Sequence, residues 1–341
     1  MRQSDAELSR SRMPEKLIGK HPERFAHSPN WRDGVFHNLD EGDRNTRSIL
    51  RWLRTRKPQP WPKWLENEHC DEPVDRLSES IADWSVHFVN HATVLWQLGP
   101  YNLLTDPVWS MRVSPFRWIG PRRIRSPGIA LQALPSIDLI LLSHNHYDHM
   151  DLDTLSYLHE RDRPLILTGL GNGYYLRRRG IMHVHELDWW QQCDWNGLKV
   201  HYVPSQHFSG RGAGDRNQAL WGGFVVDTAA GAGYFAGDTG WGSHFEVIAR
   251  KWAGFRLGLL PIGAYEPRWF MRSVHINPAE AVQAHKLLGI QTSVAIHHRT
   301  FQLTDEMVDQ PALDLADSLK HEGVAPDAFC VLNEGERRII R

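Results

Sequence analysis

His144-Asn145-His146-Tyr147-Asp148-His149 places three imidazoles and one carboxylate within six consecutive positions. The hexad follows the apolar run Leu139-Ile140-Leu141-Leu142. It precedes Asp151, a candidate helix N-cap, and Leu152, Leu155 and Leu158 at helical spacing. It therefore reads as a loop joining a strand to a helix. Such a loop can splay ligands toward two neighbouring cations, His144 and His146 one way, Asp148 and His149 the other. Imidazole and carboxylate are ligands that zinc accepts, and a hydrolytic site keeps one coordination position open for water.

Outward from the hexad, three more polar residues close apolar strands. His207 follows the strand Leu198 to Val203, Asp238 follows Tyr234-Phe235-Ala236, and His297 follows Ser293 to Ile296. Each alone is an ordinary capped strand end. Added to the hexad they complete a two-metal set: His144, His146 and His207 for one ion, Asp148, His149 and His297 for the other, with Asp238 as the bridge.

Short β-type runs at 86–89, 94–98 and 102–105 read as an antiparallel meander. Beyond the hexad, strands at 165–167, 198–203, 220–226, 234–236, 257–260 and 293–296 alternate with helices near 172–179, 243–253, 278–288 and 309–322. Hairpins followed by alternating strands and helices predict a layered α/β or α+β domain over residues 81–341. Residues 1–80 differ, being polar and broken by Pro14, Pro22, Pro29, Pro58, Pro60 and Pro62. Residues 1–60 hold 13 Lys+Arg against 8 Asp+Glu, and 48–54 fit one short amphipathic helix. This N-terminal extension is expected to strap across the domain and bury its tryptophans. The competing expectation is an arm that touches lipid.

A net charge of -1 gives no global field to recruit nucleic acid. Three separated cysteines, Cys70, Cys193 and Cys330, exclude a cysteine-ligated zinc motif and a disulfide framework, and fit a reducing compartment. The start, Met1-Arg2-Gln3-Ser4-Asp5-Ala6-Glu7, lacks an apolar signal region, and no run reaches the ~18 apolar residues of a membrane span. The expectation is a cytoplasmic chain, with peripheral contact at the inner face of a membrane. A homodimer is one oligomeric state that the sequence allows.

The spacing H-x-H-x-D-H, with its later His, Gly-Asp-Thr-Gly and Ile-His, resembles the metallo-β-lactamase superfamily. More narrowly, the chain resembles the phospholipase D family that hydrolyses N-acylphosphatidylethanolamine. That likeness is carried by Asn90-His91-Ala92-Thr93, Leu104-Thr105-Asp106-Pro107, Glu186 to Trp190, Pro204-Ser205-Gln206-His207, Ala236 to Gly240, and above all Pro261 to Met271. It covers roughly residues 85 to 335. The resemblance implies a four-layer αβ/βα sandwich with two zinc ions at one edge. It implies that Asp106 orients a ligand histidine, and that Asp148 and His275 are catalytic, His275 by positioning the phosphate or protonating the leaving alkoxide. Tyr265 and Arg268 become candidates for supporting or substrate-facing roles, with Arg268 offsetting transition-state charge. Where the family has His-Trp-Gly-Thr-Phe, this chain has His297-His298-Arg299-Thr300-Phe301, and His297 is the ligand expected because it follows Ile296. The loop from Phe208 to Gln218 and the first 40 residues match nothing in the family.

A carboxylate at 238, where β-lactamases of this superfamily place cysteine, argues against antibiotic hydrolysis. A histidine at 146, where redox di-iron members use carboxylate, favours zinc hydrolysis. The expected substrate is a phospholipid, cleaved to phosphatidic acid and an N-acylethanolamine. The alternative is a lactonase or other ester hydrolase on the same scaffold. A nucleic-acid partner has only Arg112, Arg117, Arg122, Arg123 and Arg125 in its favour; without a separate basic module it is not expected. That arginine run instead suits the mouth of a pocket that meets lipid phosphate.

Overall fold

The computed structural model describes residues 23–40, 46–67, 73–212, 214–252 and 254–341. The first 22 residues of the N-terminal extension, together with His69 and Cys70, lie outside that set.

A small hairpin, β1 (Trp31–Arg32) and β2 (Val35–Phe36), precedes helix α1 (Thr46–Thr55). The first large sheet opens with the expected meander, β3 (Trp84–Asn90), β4 (Thr93–Leu98) and β5 (Tyr101–Thr105). It continues in parallel through β6 (Leu139–Leu142), β7 (Leu165–Gly169) and β8 (Val184–Leu187), with α2 (Leu152–Asp162) and α3 (Gly173–Arg177) as crossovers. The second sheet starts antiparallel, with β9 (Gln192–Trp195), β10 (Leu198–Val203), β11 (Gly223–Thr228) and β12 (Gly231–Phe235). After α4 (His244–Lys251) it turns parallel at β13 (Phe255–Pro261). Helices α5 (Arg268–Met271) and α6 (Pro278–Leu287) lead to β14 (Ile290–Ile296), and α7 (Gln310–Glu322) leads to β15 (Phe329–Cys330). The last strand, β16 (Arg337–Ile340), returns to the first sheet beside β3.

Burial explains the layering. In β6, Leu139 and Leu141 point into the core shared by the two sheets, while Ile140 and Leu142 pack outward against Leu155, Leu158 and Leu176 of α2 and α3. A strand covered on both faces has no polar alternation, which is why this run is wholly apolar. The second sheet is covered in the same way by Phe245, Ile248, Ala281, Val282, Leu315 and Leu319 of α4, α6 and α7. The order helix, sheet, sheet, helix is the αβ/βα sandwich. Helix ends follow their signals: Asp151 accepts from Asp153 N, Asn277 and Glu280 form a capping box ahead of Pro278, and Gly323 ends α7 with a φ of 65°.

One boundary differs from expectation. Pairing in β11 begins at Gly223, not Leu220, because Leu220 N donates to Leu170 O at 2.7 Å and Gly222 N to Ser143 O at 3.2 Å. That stretch ties the two sheets together before it enters one of them.

The described part of the extension lies against the sandwich. Trp31 and Phe36 are buried in the inter-sheet core, Trp52 stacks on Phe270 at 5.0 Å, and Trp61 Nε1 donates to Glu306 O. Trp64 stays partly exposed.

Candidate metal centre

The carboxyl ends of β6, β12 and β14, the turn after β10 and the loop after β13 meet at one edge of the sandwich. There the ligands fall into two groups whose coordinating atoms lie within 4.8 Å of one another. His144, His146, His207 and Asp238 form the first; Asp148, His149 and His297 form the second, joined by His91. The Asp238 carboxylate faces both: Oδ2 lies 3.6 Å from His207 Nε2 and 3.2 Å from His149 Nε2, and Oδ1 lies 3.2 Å from His297 Nε2. Gly237, at φ 60°, makes this approach feasible, since a Cβ there would stand 2.7 Å from the Ser143 Cβ.

Hydrogen bonds on the far ring nitrogens fix which atoms face inward. His149 Nδ1 meets Asp106 Oδ2 at 2.6 Å, and His207 Nδ1 donates to Val274 O at 2.8 Å. Ser143 Oγ donates to Asp106 Oδ2 at 2.6 Å, so it receives the proton of His144 Nδ1 at 2.9 Å. The Nε2 atoms of His144, His149 and His207 thereby face inward, as bare lone pairs at His144 and His207. Asp106 Oδ1 also accepts from Ser143 N, so one oxygen holds His149 and both hold the serine that meets His144.

The residues fit divalent cations. His144 Nε2 and His146 Nδ1 stand 2.8 Å apart, and His207 Nε2 lies 3.3 Å from the same Nδ1. His149 Nε2, His297 Nε2 and Asp238 Oδ1 are buried without any hydrogen bond. Polar atoms converging unpaired in a dry pocket are costly unless a cation sits among them. Burial, reinforced by the neighbouring histidines, holds His144 well below its ordinary value, and burial brings His146 down to about 4. Burial also opposes charge on His149 and His297. Their carboxylate neighbours, Asp238 first, prevail, raising His149 well above its usual range and His297 to about 9. The same coupling overcomes burial at Asp148 and Asp238 and keeps both carboxyls far below the usual range, so both stay ionised.

His275 lies beside this centre. Its coordinating atom falls within 4.8 Å of those of Asp238 and His297, and its ring is 5.1 Å from that of His207. The other candidates sit farther out. The Arg268 guanidinium is bound by Glu280 at 2.8 and 2.9 Å and by His275 O at 2.8 Å. Its charge is met by Glu280, and it also holds the His275 backbone. Tyr265 OH donates to Asp314 Oδ2 at 2.5 Å, anchoring the 261–271 loop to α7. His298 turns away and stacks on Phe88 at 5.3 Å, while His297 faces the two aspartates.

Three groups carry weight that sequence reasoning did not assign. His91 Nε2 is 3.0 Å from Asp148 Oδ2, and its carbonyl accepts from His297 N at 2.7 Å, so one residue braces two ligands. Its only signal was its place in the Asn90-His91-Ala92-Thr93 run. Arg211, in the unmatched loop, donates to Asn145 O and Met150 O and lies 4.0 Å above the Tyr147 ring, bracing the hexad. Asn38, from the extension, brackets the His207 backbone: its Oδ1 accepts from His207 N at 3.1 Å and its Nδ2 donates to His207 O at 2.8 Å. No signal in the sequence marks it.

Comparison with known proteins agrees with this geometry. The family model described as a beta-lactamase superfamily domain matches residues 101–298. An uncharacterised protein of Mycobacterium tuberculosis is 37% identical, over 87% of this chain and 81% of its own length. The N-acyl-phosphatidylethanolamine-hydrolyzing phospholipase D 1 of Caenorhabditis elegans is 37% identical over 77% of each chain. Among solved structures, an isothiocyanate hydrolase from Delia radicum gut bacteria covers 74% of this chain and 98% of its own. Its TM-score is 0.60 at 19% identity, a likeness of fold. The architecture, the paired ligand groups and the matched relatives converge: this chain is a metallo-hydrolase of the metallo-β-lactamase superfamily, in the family of the N-acylphosphatidylethanolamine-hydrolysing phospholipases D.

Proposed function

We propose that this chain is a zinc-dependent phosphodiesterase of phospholipase D type that acts on N-acylphosphatidylethanolamine-like lipids. Water would be added across the phosphate ester of the head group, giving phosphatidic acid and an N-acylethanolamine. The observation that carries the reading is the Asp238 carboxylate set between two histidine groups with His275 beside it. Two zinc ions bound there would supply a water nucleophile at neutral pH and positive charge for the phosphate oxygens.

The chain's own residues account for the rest. His144, His146, His207 and Asp238 would hold one ion; Asp148, His149, His297 and Asp238 the other. Asp106 and His91 keep His149 and Asp148 in orientation, which matters because small misplacements of reacting groups are expensive. His275 would position the phosphate or give a proton to the leaving alkoxide, with Arg268 fixing its main chain. A lipid substrate also implies peripheral contact with a bilayer. The segment 111–122 suits it, since Phe116, Trp118 and Ile119 are exposed beside Arg112, Arg117 and Arg122. Among the described residues no helix is long and apolar enough to cross a membrane.

The test is mass spectrometry of products after zinc-loaded protein meets N-acylphosphatidylethanolamine. Phosphatidic acid together with N-acylethanolamine is the expected pair. Intact lipid, with both metals confirmed bound, would defeat the phospholipase D reading and turn attention to lactones and smaller esters.

A further inference from the structure

Beside His207 lies a cavity of about 400 Å³, walled on one side by the N-terminal extension and on the other by the loop after His207. Its lining includes Arg32 and Asn38 from the extension, Phe208 and Arg216 from the loop, and His207 itself. The Phe208 ring packs on two of the three first-group histidines, with centroids 4.5 Å from His146 and 4.7 Å from His207. The Arg216 guanidinium lies over the same ring at 4.4 Å. One aromatic ring therefore separates this cation from the metal ligands. Neither Arg216 nor Arg32 has a carboxylate partner among the described residues. The acid that also lines the cavity, Asp40, is already engaged: its oxygens accept from Ser243 N at 2.6 Å and Ser243 Oγ at 2.8 Å.

A cavity that borders His207 and holds two guanidiniums without carboxylate partners is suited to oxyanions, since the planar fork of arginine matches phosphate and carboxylate. We propose that it is an anion subsite, in which Arg216 and Arg32 bind a carboxylate or phosphate that the substrate carries outside its scissile ester. The proposal rests on the phosphodiesterase reading for the identity of its ligand, and it refines the expected lipid: head groups with a second negative charge are preferred over neutral ones. It also gives the unmatched loop and the extension a shared task, since each contributes one arginine.

The test is calorimetric titration of the metal-loaded full chain with O-phosphoserine and with phosphoethanolamine. Both offer a phosphate to the metals, and they differ by one carboxylate. Phosphoserine should bind roughly tenfold more tightly. That difference should shrink in Arg216→Ala and in Arg32→Ala and vanish in the double variant. Both arginines are exposed, so the fold should tolerate their loss. Lys320→Ala, an exposed charge on α7, should keep the preference and so separate the subsite from net charge. Equal affinities in the wild type, or a preference that survives the double variant, would overturn the subsite. Lipid turnover is scored separately. A wild type that shows the preference yet cleaves no lipid would refute the phosphodiesterase reading and leave the subsite supported.

Discussion

His275 approaches the centre from beside the ligands, its ring 5.3 Å from that of His297 and its backbone fixed by Arg268. A residue so placed should serve the reaction more than the ions. His275→Ala should keep its metal content by elemental analysis while kcat falls on the order of 10²- to 10⁴-fold, the usual scale of a lost proton donor. Loss of metal would make it a ligand instead. Farther off, His244 is buried against Thr239, and burial brings it down to about 3; burial likewise brings His87 down to about 4. Below pH 6.5 the unfolded chain takes up protons that these folded rings refuse. Stability therefore falls as the pH drops from 6.5 toward 4, by about 1.4 kcal/mol per pH unit for each ring. Urea titrations of wild type and His244→Asn at pH 7 and pH 5 should show a smaller acid loss in the variant. Metal release is common to both proteins and cancels in the difference. The seven proposed ligands could be nominated from sequence because each stands in the hexad or just past a strand. His91 was not, because its role lies in bonds to residues 57 and more positions away.

At the level of elements, the strands missed by pattern are instructive. They are β8, β9, β15 and β16, which are the outer strands of the two large sheets, and the two-stranded hairpin of the extension. An edge strand is covered on fewer sides, so it lacks both the apolar run of a central strand and a clean alternation. Residues Gln192-Cys193-Asp194-Trp195 of β9 contain no buried side chain. The extension was unreadable for a related reason: it borrows its order from the sandwich. Asn38 is the sharpest case, an amide that pairs with the backbone of a ligand 169 residues away and accepts from Trp221 Nε1 at 2.9 Å. Removing such a support shifts the ligand without removing it. Asn38→Ala should bind one of two metal equivalents roughly 10- to 100-fold more weakly in chelator competition. Affinities equal to wild type for both would show that His207 is positioned without the extension.

For the molecule as a whole, the centre lies on the seam between two sheets. His144, His146, Asp148 and His149 come from the loop after β6 of the first sheet, while His207, Asp238 and His297 follow strands of the second. Each ion would take ligands from both, so binding fastens one half of the sandwich to the other. The inter-sheet core does this elsewhere: Trp96 and Trp84 pack edge to face at 5.6 Å, and Gly233 is kept bare because a Cβ would sit 2.2 Å from the Trp96 ring. At the metal edge two ionised carboxylates face a ring of imidazoles, a polar cluster that a cation between them would hold together. The unfolded chain leaves His207, Asp238 and His297 far from the hexad and so binds metal weakly. Bound metal therefore stabilises the native state by mass action, about 2.7 kcal/mol when free metal stands 100-fold above its dissociation constant. Chelation should lower the thermal midpoint by several degrees while far-ultraviolet circular dichroism still reports both sheets. The protection against hydrogen exchange should fall first at the ends of β6, β12 and β14, and stay high around Trp96 in the interior. Uniform loss across both sheets would mean that the ions hold the sandwich together as a whole. No change at all would mean that the edge closes without them.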